Sequence, residues 1–403
     1  MKNMTLGKSL FTIFFFLAVF IYAGMSACQV VPGIMADFNE SDIKSSNSLK
    51  MVISLAEKHI SEDTYARYRF IEAYGMLNKL LGKKEINGFD YALDEFGGYE
   101  AVNFADKVDN IDYKKVAKRV VAFKEDVEAH NAKFIYLQSP DKHNEKWNKG
   151  YDEIPYEDKN EKTDKLLAWF RRYGIDCMDL RDVLAESGMS YEEMFYNTDH
   201  HWNGTAAFYA FGKFVQHLND FYDAGLDESG YYRDINNYSI TYCDDAYLGS
   251  AGRDVGFEYG NCDDHMQLFV PKFSGNISWM NYSGDYKDTV FRYDHLKGDN
   301  PYKMDTYGFY LYGVAKEDVI INNANEDGLR VLFVRDSYMS PLIIDMIPLC
   351  SEIDCYWGLY VDENTLKEKI ANGSYDYVVL SYGTLNIEEE NFSFYTDADD
   401  LGE

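Results

Sequence analysis

The chain has 403 residues, a formal net charge of −29 and a pI of about 4.6. This length allows one large domain or two, and the negative charge argues against a nucleic-acid partner because the phosphate backbone would be repelled. Aromatic residues make up 16% of the chain and include 35 Tyr. A Tyr-rich surface suits carbohydrate recognition, but ordinary β-rich packing explains the same composition.

The N-terminus up to Cys28 has the pattern of a targeting segment. Lys2 and Lys8 precede an apolar run from Leu10 to Ala23, and the small residues Ser26-Ala27 stand directly before the cysteine. The run is slightly shorter than the ~20 residues of a membrane span. Three outcomes fit: removal by a signal peptidase, cleavage before Cys28 with attachment of a lipid, or retention as a single anchor. Each outcome places the bulk of the chain outside the cytoplasm, and a retained anchor or a lipid on Cys28 would tether it to the membrane on the cell surface.

The remaining cysteines are odd in number once Cys28 is set aside as a lipid site. Two pairs are close enough in sequence to form disulfides, although nothing in the sequence requires it: Cys243 with Cys262, and Cys350 with Cys355. Their spacing with histidines does not indicate zinc.

Four further parts follow the targeting segment (residues 1–28). Residues 29–50 are polar and predict a tether. Residues 51–221 and 326–403 combine helical patterns with short apolar runs and predict the two parts of one α/β domain. Residues 222–325 alternate aromatic and polar residues with almost no helical period. They predict short strands and turns, either as an insertion into the α/β domain or as a small β-rich lobe.

Three apolar runs predict buried strands, because each is too short for a helix: Lys133–Gln138, Leu329–Val334 and Tyr377–Leu380. Their alternation with helical patterns predicts a parallel sheet flanked by helices. Polar residues directly follow all three runs. Open α/β sheets bind their ligands at the carboxyl ends of the strands, so the sequence predicts a site there.

The most unusual stretch is Asn197-Thr198-Asp199-His200-His201-Trp202-Asn203, just before a helical pattern that begins at Gly204. In an extended segment, Asp199 and His201 point to the same side. A carboxylate beside an imidazole fixes the tautomer of the ring and stabilises its charged form. Such a pair activates a nucleophile that must come from elsewhere in the chain.

Ser337 is the candidate nucleophile. It follows a predicted buried strand and precedes a predicted helix, so its hydroxyl would lie at the carboxyl edge of the sheet. Backbone N–H groups at the start of that helix could hold an oxyanion. The alternative is that Ser337 only caps the helix, since Asp-Ser before a helix is common for that reason.

Four neighbouring residues have weaker predicted roles. In an extended segment His200 points away from His201, which predicts a supporting or surface contact. Trp202 is expected to pack in the core or to form one wall of the site. Asp141 and Lys142 follow a strand where substrate could bind, although a solvated loop explains them equally simply. No third ligand accompanies Asp199 and His201 at a suitable spacing, so neither a metal nor a cofactor is expected.

The stretch Asn197–Asn203 resembles the signature of the DHHW proteins, which belong with the alginate-type polysaccharide O-acetyltransferases in the SGNH hydrolase-like superfamily. The stretch Val334-Arg335-Asp336-Ser337-Tyr338 resembles that family's strand followed by Gly-Asp-Ser. The resemblance extends from the N-terminal segment to the last strand. It implies an SGNH hydrolase-like sheet in which Asp-x-His precedes Ser, the circularly permuted motif order of these acetyltransferases.

Carried over by motif, the resemblance implies that Ser337 is the nucleophile, His201 the general base and Asp199 the acid that orients it. Asn386, after the third predicted strand, is the candidate for the family's oxyanion-hole Asn; its alternative is a turn residue. Arg335 stands where the family usually has Gly. This departure would crowd the turn that presents the nucleophile.

The expected function is therefore extracytoplasmic O-acetylation of a cell-surface or secreted polysaccharide through an acyl-serine intermediate. By resemblance, a multispanning membrane acyltransferase would supply the acetyl group. One alternative is a carbohydrate acetylesterase of the same fold. Another is a catalytically silent polysaccharide-binding or assembly protein that binds through residues 222–325. Arg335 favours the silent protein, whereas the intact set Asp199, His201 and Ser337 counts against it.

Overall fold

The computed structural model describes residues 2–40, 48–103, 109–157, 159–243, 247–298, 300–313 and 315–400. The helices are α1 Lys2–Glu40, α2 Ser48–Asp63, α3 Arg67–Leu80, α4 Tyr113–Ala129, α5 Lys159–Arg172, α6 Leu180–Ala185, α7 Tyr191–Met194, α8 Gly204–Tyr222, α9 Ser250–Val255, α10 Ser340–Met346 and α11 Glu363–Gly373. The strands are β1 Glu85–Ile86, β2 Tyr91–Leu93, β3 Tyr99–Ala101, β4 Lys133–Gln138, β5 Cys177–Asp179, β6 Tyr238–Cys243, β7 Met266–Pro271, β8 Ile277–Trp279, β9 Tyr282–Gly284, β10 Glu317–Asn322, β11 Leu329–Arg335, β12 Cys350–Trp357 and β13 Tyr377–Ser381. The chain forms two compact units, Met1–Leu77 and Asn78–Glu403.

The first unit contains a helix that is long and apolar enough to cross a membrane, by length and composition. A signal sequence near the N-terminus has the same properties. Helix α1 continues to Glu40, and residues 9–36 contain no charged side chain. Near its end, the carboxylate of Asp37 accepts hydrogen bonds from Lys58 Nζ at 2.9 Å and from His59 Nε2 at 3.1 Å, both on α2.

The structure differs from the predicted tether of residues 29–50. Residues 29–40 prolong α1, because apolar side chains continue beyond Cys28 at Val30, Val31 and Ile34. Residues 41–47 lie outside the described residues, and residues 48–50 begin α2. The membrane-spanning candidate is therefore longer than the sequence pattern alone indicated.

The second unit is built on an eight-stranded sheet of order β5-β4-β13-β11-β12-β10-β8-β9. The first five strands in this order, β5, β4, β13, β11 and β12, pair in parallel, and β10, β8 and β9 extend the sheet by antiparallel pairing. The predicted α/β fold with a parallel sheet is confirmed. Strand β12 was missed because its acidic residues Glu352 and Asp354 interrupt the apolar run.

Side chains that alternate along the central strands build a core on each face of the sheet. On β4, Phe134 and Tyr136 pack with the buried faces of α4, α5 and α11, whereas Ile135 and Leu137 pack with those of α6, α8 and α10. Strands β11 and β13 divide their side chains in the same way. The sheet is thus covered on both faces, which explains why its strands appear as continuous apolar runs.

Most of residues 222–325 is integrated with this sheet. Strands β8, β9 and β10 add to its edge, and the β6–β7 pair packs on α8, where the ring of Phe208 lies 4.8 Å from Tyr238 and 5.4 Å from Phe269. Of the two predicted alternatives, the structure therefore has the insertion. A separate three-stranded sheet, β1-β2-β3, comes from residues 85–101.

The structure excludes one of the two disulfides that the sequence allowed. Cys350 and Cys355 lie five positions apart on the same extended strand, β12. The rise of a β-strand places their Cα atoms about 16 Å apart. A disulfide requires Cα atoms within about 7 Å. Both thiols are buried and free, and burial raises the pKa of Cys355 to about 12.

Candidate active site

The turn after β11 presents Ser337 at the carboxyl edge of the sheet. Asp336, not Ser337, caps the following helical turn: its Oδ1 accepts a hydrogen bond from the backbone N–H of Tyr338 at 3.1 Å. The alternative in which Ser337 serves as the cap is therefore not what the structure shows. The Ser337 side chain is half-buried and available to another partner.

That partner is His201. Its Nε2 lies 2.7 Å from Ser337 Oγ, although 136 residues separate the two in sequence. Its Nδ1 lies 2.6 Å from Asp199 Oδ1. An ionised carboxylate only accepts hydrogen bonds, so Nδ1 carries a proton and the neutral ring leaves Nε2 as an acceptor for the Ser337 hydroxyl. The structure thus brings Ser337, His201 and Asp199 together in one hydrogen-bonded chain.

The local conformation around Asp199 differs from the expected extended segment. Residues 197–201 form a bend, and Asp199 Oδ1 also accepts the backbone N–H of His201 at 3.0 Å. This Asx-type turn, not strand alternation, places the carboxylate beside the imidazole. It also explains why His200 does not point away from His201: their ring centroids lie 3.9 Å apart.

The second carboxylate oxygen of Asp199 is held by the segment that begins α9. Its Oδ2 accepts a hydrogen bond from the backbone N–H of Ser250 at 2.9 Å. A Cβ atom at Gly249 would collide with the Asp199 side chain, so this close approach requires glycine. Ser250 Oγ, in turn, lies 2.9 Å from His200 Nδ1. The segment therefore holds both the acid and the neighbouring histidine.

Asp264 fixes the start of the bend. Its carboxylate accepts hydrogen bonds from the backbone N–H of Asn197 at 2.5 Å and from the N–H and hydroxyl of Thr198, each at 2.6 Å. Burial raises the pKa of Asp264 despite these donors. The hydroxyl of Thr198 also accepts the N–H of Gly249 at 2.9 Å. The bend is thereby joined to two segments that are distant in sequence, one at Asp264 and the other at Gly249.

Lys142 supports the same bend from the opposite side. Its side chain is 3% exposed, and its Nζ donates to the backbone carbonyls of Tyr99 at 2.7 Å, Asn197 at 2.8 Å and Asp199 at 3.3 Å. The carboxylate of the fully buried Asp94 lies 3.9 Å away. Because these carbonyls occupy its donors, the structure places Lys142 as a support of the bend and not as a group that faces substrate.

The acids in the site have opposite pKa shifts. Burial opposes ionisation of Asp199, but attraction to His201 and His200 and the donated hydrogen bonds outweigh burial and place its pKa well below the usual range. Burial raises the pKa of Asp336, against the donors from Gly383 and Asn386. Partial burial and repulsion by His201 lower the pKa of His200. Asp199 is thus the ionised acid that can stabilise a charged His201.

Aromatic rings enclose His201. Tyr307 stacks on its imidazole with centroids 3.7 Å apart and an interplanar angle of 9°, and Tyr338 lies 4.9 Å away at a tilt. Trp202 is fully buried and donates its Nε1–H to the carbonyl of Tyr338 at 2.7 Å. Tyr338 donates its hydroxyl to the carbonyl of His200 at 2.7 Å. These two hydrogen bonds tie the turn of the serine to the bend of the histidine.

The other predicted site residues lie near the triad without contacting Ser337. Asn386 donates its Nδ2–H to Asp336 Oδ2 at 2.8 Å; its predicted role as an oxyanion donor stays a prediction. Asp141 is buried, accepts the N–H of His143 at 2.6 Å and the hydroxyl of Thr384, and lies 3.4 Å from Lys159 Nζ. Asp141 therefore belongs to the wall beside the site.

Arg335 does not crowd the turn with its side chain. The guanidinium is fully buried, and its Nη1 donates to the carbonyl of Gly313 at 2.8 Å and to Ser340 Oγ at 3.1 Å. Its Nη2 lies 3.9 Å from Asp318 on β10. The side chain thus joins the start of α10 to neighbouring segments below the turn, and the Ser337–His201 hydrogen bond forms in its presence.

Among the described residues, Asp199, His200 and His201 bring one possible metal ligand atom each within 4.8 Å of one another. Both ring nitrogens of His201 already have partners, Asp199 at Nδ1 and Ser337 at Nε2, so a metal ion bound there would have to displace one of them. The geometry of these residues fits the hydrogen-bonded chain from Asp199 through His201 to Ser337.

Three residues of the site were missed by sequence reasoning: Asp264, Ser250 and Tyr307. Their positions depend on which loops the fold brings to the bend, and the surrounding stretches are rich in Asp, Ser and Tyr, so composition gave no signal. Gly249 directly before Ser250 was the one local hint, since a Gly-Ser pair before a helix is typical of a tight approach at a helix start.

Comparison with known proteins supports the resemblance seen in the motifs. Residues 100–230 match the family model of the "SGNH hydrolase-like domain, acetyltransferase AlgX". This match covers the bend with Asp199 and His201 and ends before Ser337. Comparison with curated proteins gave no match.

Solved structures share the fold over most of the chain. A DHHW family protein from Eubacterium siraeum has a TM-score of 0.54 at 16% identity, covering 76% of this chain and 93% of its own. Bacillus cereus PatB1, solved with a sulfonyl adduct, has a TM-score of 0.58 at 15% identity, covering 77% of this chain and 99% of its own. The predicted resemblance is thus confirmed: residues 100–230 match an SGNH hydrolase-like family model, and the chain shares the fold of a DHHW family protein.

Proposed function

We propose that the protein is an acyltransferase that acetylates hydroxyl groups of a polysaccharide through an acyl-Ser337 intermediate. The observation that carries this proposal is the chain Asp199 Oδ1···His201 Nδ1 at 2.6 Å and His201 Nε2···Ser337 Oγ at 2.7 Å. The description of the matching family model as an acetyltransferase supports acyl transfer as the reaction class.

The geometry supplies the proton transfers of a two-step mechanism. In the first step, Ser337 Oγ attacks the acyl carbonyl of the donor and gives its proton to His201 Nε2, which passes it to the leaving group. In the second step, an acceptor hydroxyl attacks the acyl-Ser337 carbonyl and gives its proton to Nε2, which returns it to Ser337 Oγ. Asp199, ionised and hydrogen-bonded to Nδ1, stabilises the imidazolium in both steps.

Acetylesterase activity would use the same residues with water as the acceptor in the second step. The silent, polysaccharide-binding alternative is less well supported, because the side chain of Arg335 leaves the hydrogen-bonded chain intact. The membrane acyltransferase partner implied by the resemblance stays a prediction.

We further propose that the second unit lies outside the cytoplasm and that α1 holds it at the membrane. The uncharged residues 9–36 support retention of α1 as an anchor. They form 28 residues of helix, about 42 Å at the rise of an α-helix, which exceeds the roughly 30 Å of a bilayer core.

The test uses the full chain in nanodiscs with p-nitrophenyl acetate as acyl donor, with and without a neutral oligosaccharide acceptor. We expect ester cleavage, an acetyl adduct on the Ser337 peptide, and acetyl on the oligosaccharide. Ser337→Ala abolishes all three. The control is Ser283→Ala, an exposed serine on β9, which leaves all three unchanged. A variant Ser337→Ala with full activity would rule out the proposed nucleophile, and acetyl released only as acetate would favour the esterase.

A sulfonyl fluoride provides a second, donor-independent test. Phenylmethylsulfonyl fluoride reacts with an activated serine hydroxyl, and we expect its adduct on Ser337 in the wild type and in Ser283→Ala. Asp199→Asn should slow adduct formation strongly, because losing the carboxylate from such a triad costs about 10⁴-fold in rate. Equal labelling of wild type and Asp199→Asn would contradict activation of Ser337 through His201.

A further inference from the structure

A small cavity lies directly beside the triad. Its volume is about 110 Å³, and its lining includes the chain neighbours of two triad residues, His200 and Tyr338, together with Ser250, which holds Asp199. Glu100, Lys159 and Tyr91 line the other side. The triad mechanism uses none of these last three residues.

Glu100 is the unexplained group in this cavity. Its side chain is 2% exposed, and neither carboxylate oxygen is in hydrogen-bond geometry with a described residue. His143 Nδ1 lies 2.8 Å from Oε1 as an ion-pair contact, which leaves Oε2 without a donor in the described part of the chain. A buried carboxylate oxygen without a donor is costly. A ligand that donates hydrogen bonds into the cavity would remove that cost.

The charges of the described lining residues balance. The lining holds Glu100, Asp141, Lys142 and Lys159, and three of these charges already have partners: Lys142 is bound to backbone carbonyls, and Lys159 Nζ lies 3.4 Å from Asp141. The group left to meet a ligand is an acceptor, the carboxylate of Glu100. A sugar hydroxyl can donate to it, whereas a uronate carboxylate would be repelled.

A larger groove of about 940 Å³ shares Asn103 and Leu385 with the cavity. Its acidic lining residues are Glu157, Glu388, Glu389 and Glu390. Its cations are already paired: Arg119 Nη2 lies 2.6 Å from Asp399, and Lys162 Nζ lies 2.6 Å from Glu157. The groove adjoining the cavity therefore offers an anionic polymer no free cation among the described lining residues.

We propose that this cavity binds one unit of the acceptor and that the acceptor is a neutral, hydroxyl-rich sugar polymer rather than a polyuronate, with Glu100 accepting a hydrogen bond from a sugar hydroxyl. This inference rests on the proposed function and names its acceptor class. Tyr91 and Tyr99 in the same lining add aromatic surface for the apolar face of a sugar ring. The net charge of −29 also repels a polyanion and so favours a neutral acceptor.

The test measures sugar binding by the full chain in nanodiscs of uncharged lipid, by saturation-transfer NMR and calorimetry. The probes are cellotetraose, chitotetraose and tetragalacturonate. We expect at least one neutral tetrasaccharide to bind at least tenfold more tightly than tetragalacturonate. Tetragalacturonate binding as tight as that of the neutral sugars, or no binding of either neutral sugar, would overturn the proposal.

Glu100→Gln keeps the shape of the side chain and removes its charge. We expect it to weaken the neutral tetrasaccharide about tenfold, as for loss of a charge-assisted hydrogen bond, and to strengthen tetragalacturonate. This opposite change is not expected from a merely structural role. The control Glu153→Gln, at an exposed acid outside the cavity lining, leaves both affinities unchanged. Unchanged affinity for the neutral sugar in Glu100→Gln would overturn the proposal.

Two further measurements keep the test decisive. If Glu100→Gln does not fold, added salt is used on the wild type: it should strengthen tetragalacturonate and leave the neutral sugar unaffected, and the reverse overturns the proposal. Binding is repeated on Ser337→Ala, which cannot be acylated. Sugar binding in that variant separates the cavity from the triad, so failure of one proposal is distinguishable from failure of the other.

Discussion

At the scale of single residues, the bend of Asp199 depends on Lys142. Removing the ammonium takes a donor from the carbonyls of Tyr99 and Asn197, of which Asn197 keeps the backbone N–H of Tyr99. We expect Lys142→Met to destabilise the fold by about 2–3 kcal/mol and to lower kcat at least tenfold, because a misplaced His201 loses alignment with Ser337. The KM for p-nitrophenyl acetate should change little, since the backbone carbonyls of the bend occupy the donors of Lys142 and leave none for the ester.

The control for Lys142→Met is Lys146→Met in the same loop. Lys146 is 41% exposed and pairs with Asp182 at the surface, and such pairs contribute less than about 1 kcal/mol. Denaturation curves and ester-cleavage kinetics of both variants check the prediction. Equal effects of the two substitutions on kcat would contradict the assignment of Lys142 to the bend.

The lowered pKa of Asp199 predicts a pH dependence of stability. The ionised carboxylate contributes stability that is fully present above the ordinary Asp pKa of about 4 and is lost as the pH falls through the lower pKa of the folded state. Asp199→Asn cannot ionise at this position. The difference in the free energy of unfolding between wild type and variant should therefore be largest near pH 7 and shrink toward pH 3.

Urea denaturation followed by Trp fluorescence at pH 7, 5 and 3 measures this difference. The control is Asp263→Asn, whose side chain is 82% exposed and which should change the free energy of unfolding by less than about 0.5 kcal/mol at each pH. A wild-type advantage over Asp199→Asn that grows in acid would contradict the sign of the prediction.

At the scale of elements, Arg335 joins β11 to α10 and to the backbone carbonyl of Gly313. We expect Arg335→Met to destabilise the fold by about 3 kcal/mol, because it removes these donors and leaves Asp318 buried without a nearby cation. The double variant Arg335→Met/Asp318→Asn should recover part of that loss. Thermal and urea denaturation of the two variants measures it.

Arg330→Met serves as the control on the same strand, since Arg330 is 38% exposed and pairs with Glu352. We expect it to lower the free energy of unfolding by no more than about 1 kcal/mol.

Substitution of Arg335 also tests whether this side chain crowds the nucleophile. Arg335→Gly should not raise the rate of ester cleavage in protein that remains folded. A clear increase would mean that the arginine does hold Ser337 away from its reactive position.

The elements that carry the site were predictable from the sequence to different degrees. Strands β4, β11 and β13 and the polar turns after them follow from apolar runs that are buried on both faces. The bend at Asp199 was not predictable as a bend, because a carboxylate that binds its own backbone two residues on competes with the extended form. His200 was misplaced for that reason.

The sequence did not indicate which residues would support the bend. Lys142, Asp264 and Ser250 reach it from loops far apart in sequence, and their roles arise only when the sheet brings those loops to one edge. The motif could identify the acid, the base and the nucleophile, since their residue types follow from the chemistry. It could not identify the residues that hold them, because backbone carbonyls and N–H groups can be bound by many side chains.

At the scale of the whole molecule, we predict that the mature protein keeps α1 as a membrane anchor. The uncharged residues 9–36 are long enough to span the bilayer core, whereas the apolar run up to Ala23 alone was slightly short. The protein should remain in the membrane pellet after an alkaline carbonate wash, and its intact mass should include the segment before Cys28. Cys28→Ser should change neither result.

The intact mass separates this prediction from its two alternatives. A mature chain that begins at Cys28 and carries added acyl mass, lost in Cys28→Ser, would show a lipoprotein; an unmodified chain that begins near Ala27 would show a removed signal. Membrane attachment matters for the proposed reaction in all but the last case. A multispanning acyl donor would deliver acetyl groups at the membrane surface, and a chain held there by α1 meets that donor at a far higher effective concentration than a released one.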